Sequence, residues 1–199
     1  MSTALILQLE AEMRGAALAM NWPAAAALRE RFAIPAPVLA RLTGSGGVGR
    51  ANVTISRDGG RWEPGGPDWR LVLPVEEFGD LVDLCAISSA DPMEWALRSE
   101  AGWCLGHDAF FEALTERRRR LRIFTAPFDW MRGLEPDEEG LKSTGICVLD
   151  WNAGIGWLRG LGERVQLEVD RGAGDRLRAL LAHGGNPRVA EIGAGRMAA

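Results

Sequence analysis

Beyond Gly44 the chain is punctuated by tight-turn signals at short intervals, and this spacing constrains its fold more than any other feature. Asp58-Gly59, Pro64-Gly65-Gly66-Pro67 and Phe78-Gly79-Asp80 separate strand-length runs at Asn52–Arg57, Gly60–Glu63, Trp69–Val75 and Leu81–Ile87. A two-residue turn can join antiparallel neighbours only, because a parallel pair needs a crossover of a dozen residues or more. Long crossover helices are few in the reading. The pattern predicts an α+β fold: N-terminal helices, then a mixed, mostly antiparallel sheet with flanking helices.

The helices come from periodicity. Ile6, Leu9, Met13, Ala16, Ala17 and Met20 form one stripe over residues 3–20, with Ser2 as its cap. Asn21 before Trp22-Pro23 opens a second helix through Arg31. Pro35 and Pro37 open a third, ending near Leu42 at Gly44. Further along, Asp108 is expected to cap a helix holding Phe110, Phe111 and Leu114. Arg122–Thr125, Gly145–Leu149 and Arg164–Val169 read as strands. Asp175 begins a last helix through Leu181, closed by Gly184-Gly185. The resulting division is a helical segment 1–43, an α+β domain 44–192 and a disordered tail 193–199.

The composition excludes several classes. A net charge of −4 argues against a protein built mainly to neutralise phosphates, while leaving room for a local basic patch. Three scattered cysteines, Cys85, Cys104 and Cys147, do not form a disulfide framework. The first residues lack a basic region before their apolar run, so they do not read as a signal peptide. No apolar run approaches the about 20 residues of a membrane span. A cytoplasmic location without membrane contact is expected. All basic residues except Lys142 are arginine, which forks and stacks where lysine cannot.

Two matching phrases, Pro127-Phe128-Asp129-Trp130 and Val148-Leu149-Asp150-Trp151, each run from apolar residues into an Asp-Trp pair. A Gly-rich or polar break is expected after each. A carboxylate beside an indole at a strand end can form one wall of a pocket, which makes Trp130 and Trp151 pocket candidates. Asp129 and Asp150, with Asp91, could bind magnesium or serve acid–base work if gathered. Each also suits a cap: Asp91 before Pro92, Asp129 over Trp130–Arg132, Asp150 where a buried strand emerges.

Arg117, Arg118, Arg119, Arg120 and Arg122 make the densest cationic run and are the candidate phosphate contacts. The plainer reading is the last turn of the helix begun at Asp108, where cations complement the helix dipole. Other patterns fall short. Gly44–Gly49 follows a helix and precedes a strand, the reverse of a dinucleotide loop. Residues 28–42 have a helix-turn-helix layout, but the second helix is apolar where a reading helix is polar. Cys104 and His107 supply two zinc ligands where a structural site needs four. The crowded indoles suit a core better than a base-stacking channel. No metal site and no cofactor are expected.

Asp91-Pro92, Trp95-x-x-Arg98, Gly102-x-x-Leu105-Gly106 and the two Asp-Trp phrases together resemble uncharacterised proteins encoded in alphaproteobacterial genomes, often among mobile-element genes. That resemblance spans about residues 25–183 and carries no activity. The stretch Leu71–Ile87 is also similar to the lead-in of phage-type primases. The zinc-ribbon cysteines of that class are missing here, as is its Glu-Gly…Asp-x-Asp metal-binding pattern. The resemblance therefore implies kinship without polymerising chemistry.

Two functional readings result. The first is a non-catalytic binding or accessory protein, with a protein partner or a second copy held by the N-terminal helices through the 3–20 stripe, and nucleic acid as a further candidate partner. The second is a metal-dependent enzyme using Asp129 and Asp150 on a phosphorylated or nucleic-acid substrate delivered by the arginine run.

Overall fold

The computed structural model describes residues 2–115, 117–138, 140–170, 173–182 and 187–192. The chain divides into two compact units, Met1–Gly102 with Leu134–Lys142, and Trp103–Gly133 with Ser143–Ala199. The fold is α+β with its helices leading, as the turn spacing predicts.

In the first unit, α1 (Thr3–Ala19) is capped by the Ser2 hydroxyl, which accepts from the Leu5 N–H at 3.3 Å. Its stripe is not an open surface. Leu9, Met13 and Ala16 are buried with Val53, Trp62, Val72, Leu84, Ala86 and Ala96 of the unit's own sheet. The expected partner contact through this stripe is thus corrected: the chain covers it itself. Gly49 makes the approach of helix to sheet close, since a Cβ there would lie 2.6 Å from the Ala16 carbonyl carbon. Helix α2 (Trp22–Phe32) is capped by the Asn21 side chain, which accepts from Ala24 N–H at 3.0 Å. Helix α3 (Ala36–Ser45) runs three residues past the expected end at Leu42 and stops at Gly46 instead of Gly44, with φ of +73°.

The sheet of this unit has the order β2-β1-β3-β4-β5 and is antiparallel throughout. Its strands are β1 (Gly49–Ile55), β2 (Trp62–Pro64), β3 (Asp68–Glu77), β4 (Asp80–Ser88) and β5 (Trp95–Leu97). Phe78 and Gly79 join β3 to β4 with φ of +55° and +85°, the two positive values of a hairpin turn matched to strand twist. Pro74 sits beyond the part of β3 that pairs with β1, so its missing N–H falls where the strand has one neighbour. Strand β5 was not expected; it is three residues long and too short to show a period.

Asp83 on β4 holds the irregular segment that follows β5, residues 98–102. It is 0% exposed. Its Oδ1 accepts from the N–H groups of Leu84, Arg98 and Ser99 at 2.8–3.0 Å, and its Oδ2 from Ala101 at 2.9 Å and Gly102 at 3.2 Å. Arg98 in turn donates to Glu12 of α1 at 2.9 and 3.2 Å and pairs with Glu63 at 3.1 Å. β8 (Leu134–Pro136), which pairs with β9 (Leu141–Ser143), lies against α3, where Arg41 donates to the Asp137 carbonyl at 3.0 Å.

The second unit is built on the order β12-β11-β7-β10-β6. These strands are β6 (Cys104–Leu105), β7 (Arg120–Phe124), β10 (Gly145–Val148), β11 (Gln166–Asp170) and β12 (Arg188–Ile192). β12, β11, β7 and β10 are parallel, and β6 alone is antiparallel to its neighbour. The crossovers are α6 (Trp151–Gly160), between β10 and β11, and α7 (Gly174–Leu181), between β11 and β12. The break expected after Asp150-Trp151 is instead α6. Its glycines mask it in the sequence, yet Gly154 is there for close packing: a Cβ would lie 2.9 Å from Val148 Cγ1 and 3.1 Å from the Trp103 ring. Leu121, Ile123, Ile146, Val148, Leu167 and Val169 form the sheet's share of the core, and Phe110, Leu158, Leu177 and Leu181 the helices' share.

Helix α4 (His107–Leu114) starts one residue before the expected cap. Gly106 is the cap residue and Asp108 lies in the first turn. The glycines expected to close α7 and the tail from residue 193 lie outside the described residues.

Candidate functional site at the edges of the mixed sheet

Both Asp-Trp phrases lie at one edge of the second sheet. β7 runs through Phe124 and Thr125 into α5 (Pro127–Arg132), which carries Asp129 and Trp130. β10 runs through Leu149 into Asp150 and α6. β7 and β10 are adjacent and parallel, with Phe124 opposite Cys147, and β11 ends alongside them at Asp170. Three carboxylates therefore follow the carboxyl ends of three neighbouring parallel strands, where open sheets of this kind place ligands. Asp170 is missing from the sequence-derived set. Its strand alternates polar and apolar residues, Gln166-Leu167-Glu168-Val169, so it lacks the continuous apolar run that marks Asp150.

Each carboxylate has a partner within its own unit. Asp150 caps α6, accepting from Asn152 N–H at 2.8 Å and Ala153 N–H at 3.4 Å. Asp129 is the third residue of α5, not its cap; it pairs with Arg132 and accepts from the Thr125 hydroxyl at 3.3 Å. Asp170 pairs with Arg122 at 3.1 Å, and that guanidinium lies 4.7 Å from the Phe124 ring centroid. Asp91 lies in the other unit, accepting from Met93 N–H at 2.9 Å. Among the described residues, no three His, Cys, Asp or Glu side chains converge as a metal site would require.

The two indoles have different surroundings. Trp130 donates from Nε1 to the Ser143 hydroxyl at 2.9 Å. Trp151 packs half-buried against the core under the helices. Nearby, burial pushes the Cys147 thiol far above its ordinary pKa, with the Asp129 charge adding to the shift. Cys104 is buried on β6. His107 is buried at the start of α4, edge-on to Trp103, and burial lowers its pKa against a smaller opposing pull from Asp108.

The arginine run occupies the opposite edge. Helix α4 ends at Leu114, where the Thr115 hydroxyl donates to the Phe111 carbonyl at 2.8 Å. The run is therefore not the last turn of that helix. It leads into β7, and the five residues of that strand separate its edges by about 13 Å. Arg118 turns inward, donating to Glu112 at 2.9 and 2.7 Å and to the carbonyls of Thr144 and Ser143 at 2.8 and 3.2 Å. Arg122 is held by Asp170. Arg117, Arg119 and Arg120 are exposed, Arg120 to 74% with Glu168 at 3.6 Å. Gln166 begins the neighbouring strand opposite Arg120, and Arg164 closes the short 3-10 turn just before it.

A comparison with solved structures finds the same fold in the crystal structure of the Aquifex aeolicus primase, zinc-binding and RNA polymerase domains. The TM-score is 0.62 at 14% identity, over 96% of this chain and 55% of that one. The chain thus spans about half the length of that protein. The likeness is one of fold, and it places the similarity noted at Leu71–Ile87 within a distant structural resemblance to a primase. No protein-family model and no curated protein matches the chain.

Proposed function

We propose that this protein is a nucleic-acid-binding accessory protein on a primase-like α+β fold, gripping the phosphate backbone through Arg117, Arg119 and Arg120. The observation that carries this reading is the sorting of the arginine run. Its inward members, Arg118 and Arg122, are engaged by acids and carbonyls, while Arg117, Arg119 and Arg120 are exposed where the chain enters β7, Arg120 with the looser contact to Glu168 at 3.6 Å. Guanidinium forks suit phosphate, and contacts of this kind position a strand without reading its sequence. The separate commitments of Asp129, Asp150 and Asp170 support a role without chemistry.

The test is binding of a fluorescent single-stranded oligonucleotide across a salt series. The triple variant Arg117→Ala, Arg119→Ala, Arg120→Ala should bind more weakly and lower the slope of log K against log salt by about 2, three contacts at about 0.7 each. An unchanged slope refutes the reading. The metal-dependent reading keeps one favourable observation, the shared carboxyl edge of Asp129, Asp150 and Asp170. It requires saturable Mg²⁺ binding that is lost in Asp129→Asn with Asp150→Asn, and a flat titration removes it.

A further inference from the structure

Helices α2 and α3 leave between them a groove of about 510 Å³ in the first unit. Its floor and walls are small: Ala25, Ala26, Ala36 and Ala40, with Leu39 beneath. Trp22 lines one end of it and is 78% exposed. Unlike the α1 stripe, this face is exposed at Trp22, Ala26, Arg29, Glu30, Ala36 and Ala40.

Trp22, Ala26, Arg29 and Glu30 fall on one side of α2, at spacings of four, seven and eight residues. Ala26 sits midway between Trp22 and Glu30, about 6 Å of helix from each. Among the described residues, neither Arg29 nor Glu30 takes part in an ion pair, although both line the groove. The face thus presents an aromatic ring at one end, a cation beside an anion at the other, and a small residue between. It is complementary to itself when turned by a half-rotation.

We propose that this face joins two copies of the chain, α2 lying antiparallel to the partner's α2 and crossing at Ala26. Trp22 then meets the partner's Arg29 and Glu30, and the same contact recurs across the twofold axis, as a two-fold pairing requires. The indole receives a guanidinium over its face, and the small side chain at the crossing lets the helices approach. The net charge of the Arg29-Glu30 end is zero, which suits an identical face better than a strongly charged partner.

Sedimentation of the full chain over a concentration series tests this. The wild type should pass from monomer to dimer. Trp22→Ala should raise the dissociation constant at least about tenfold, the scale of a tryptophan anchor. Ala26→Arg, which puts like charges together at the axis, should leave a monomer. Both positions are exposed, so far-UV circular dichroism should match wild type. As a positive arm, Ala26→Cys should form a disulfide-linked dimer with an added oxidant, since the axis brings the two Cα atoms within about 7 Å. The proposal is overturned by a wild-type monomer up to about 1 mM. It is equally overturned by a dimer indifferent to Trp22→Ala and Ala26→Arg, or by association with a different protein only.

Discussion

Replacing Asp83 by alanine should cost the first unit more stability than any exposed substitution. The side chain is fully buried and accepts five backbone N–H bonds. These donors do not depend on it equally. Arg98 N–H also reaches the Leu84 carbonyl at 2.9 Å, and Ala101 is exposed and can turn to water. Ser99 and Gly102 are left, one half-buried and one buried, and Leu84 is left on the strand itself. An orphaned buried donor costs about 1–3 kcal/mol, so two or three give about 3–5 kcal/mol. That is about a fifth or more of a domain stability of about 5–15 kcal/mol. Asp83→Asn should fall between, because its oxygen can keep the Leu84, Arg98 and Ser99 bonds while its NH₂ faces the Ala101 and Gly102 donors. Urea denaturation gives the energies, and amide exchange should show protection lost at Ser99 and Gly102 first. A loss below about 1 kcal/mol in Asp83→Ala, with those amides still protected, would refute the reasoning.

Gly49→Ala should separate α1 from its sheet, because the new methyl meets helix backbone rather than a movable side chain; a chemical-denaturation midpoint lower than wild type with loss of near-UV signal is expected. Asp150→Ala removes a capping carboxylate and should cost about 1 kcal/mol, largely restored by Asp150→Ser, both read by denaturation. Burial keeps His107 neutral, so the unfolded chain takes up a proton more readily than the folded one. Stability should therefore be fully present above the ordinary histidine pKa of about 6.5 and decline as pH falls below it toward the folded value, and His107→Gln should flatten that part of the pH profile.

What the sequence made legible was local. Asn21, Ser2 and the Phe78-Gly79 turn act within a few residues, and each does in the structure what its neighbours imply. The parallel pairing of the second sheet was hidden because its crossover α6 carries Gly154, Gly156 and Gly160, which signal a break when read alone. Only the sheet beneath, with Val148 and Trp103 crowding Gly154, explains why the helix needs one of them. Asp83 was visible as an acid inside an apolar run, but its five donors include four that lie fifteen or more residues away. The arginines were found as a block. Their division into inward and outward members depends on Glu112, Asp170 and the strand start at Arg120, which spacing alone does not supply.

The excursion of residues 134–142 has a consequence for how the polypeptide is made. The backbone passes between the two units three times, after Gly102, after Gly133 and after Lys142. A ribosome releasing the first hundred residues has not yet supplied β8 for α3, so that unit is completed only after part of the other has emerged. A protease that nicks one passage leaves two covalent tethers intact, and a truncation at Gly102 yields neither unit whole.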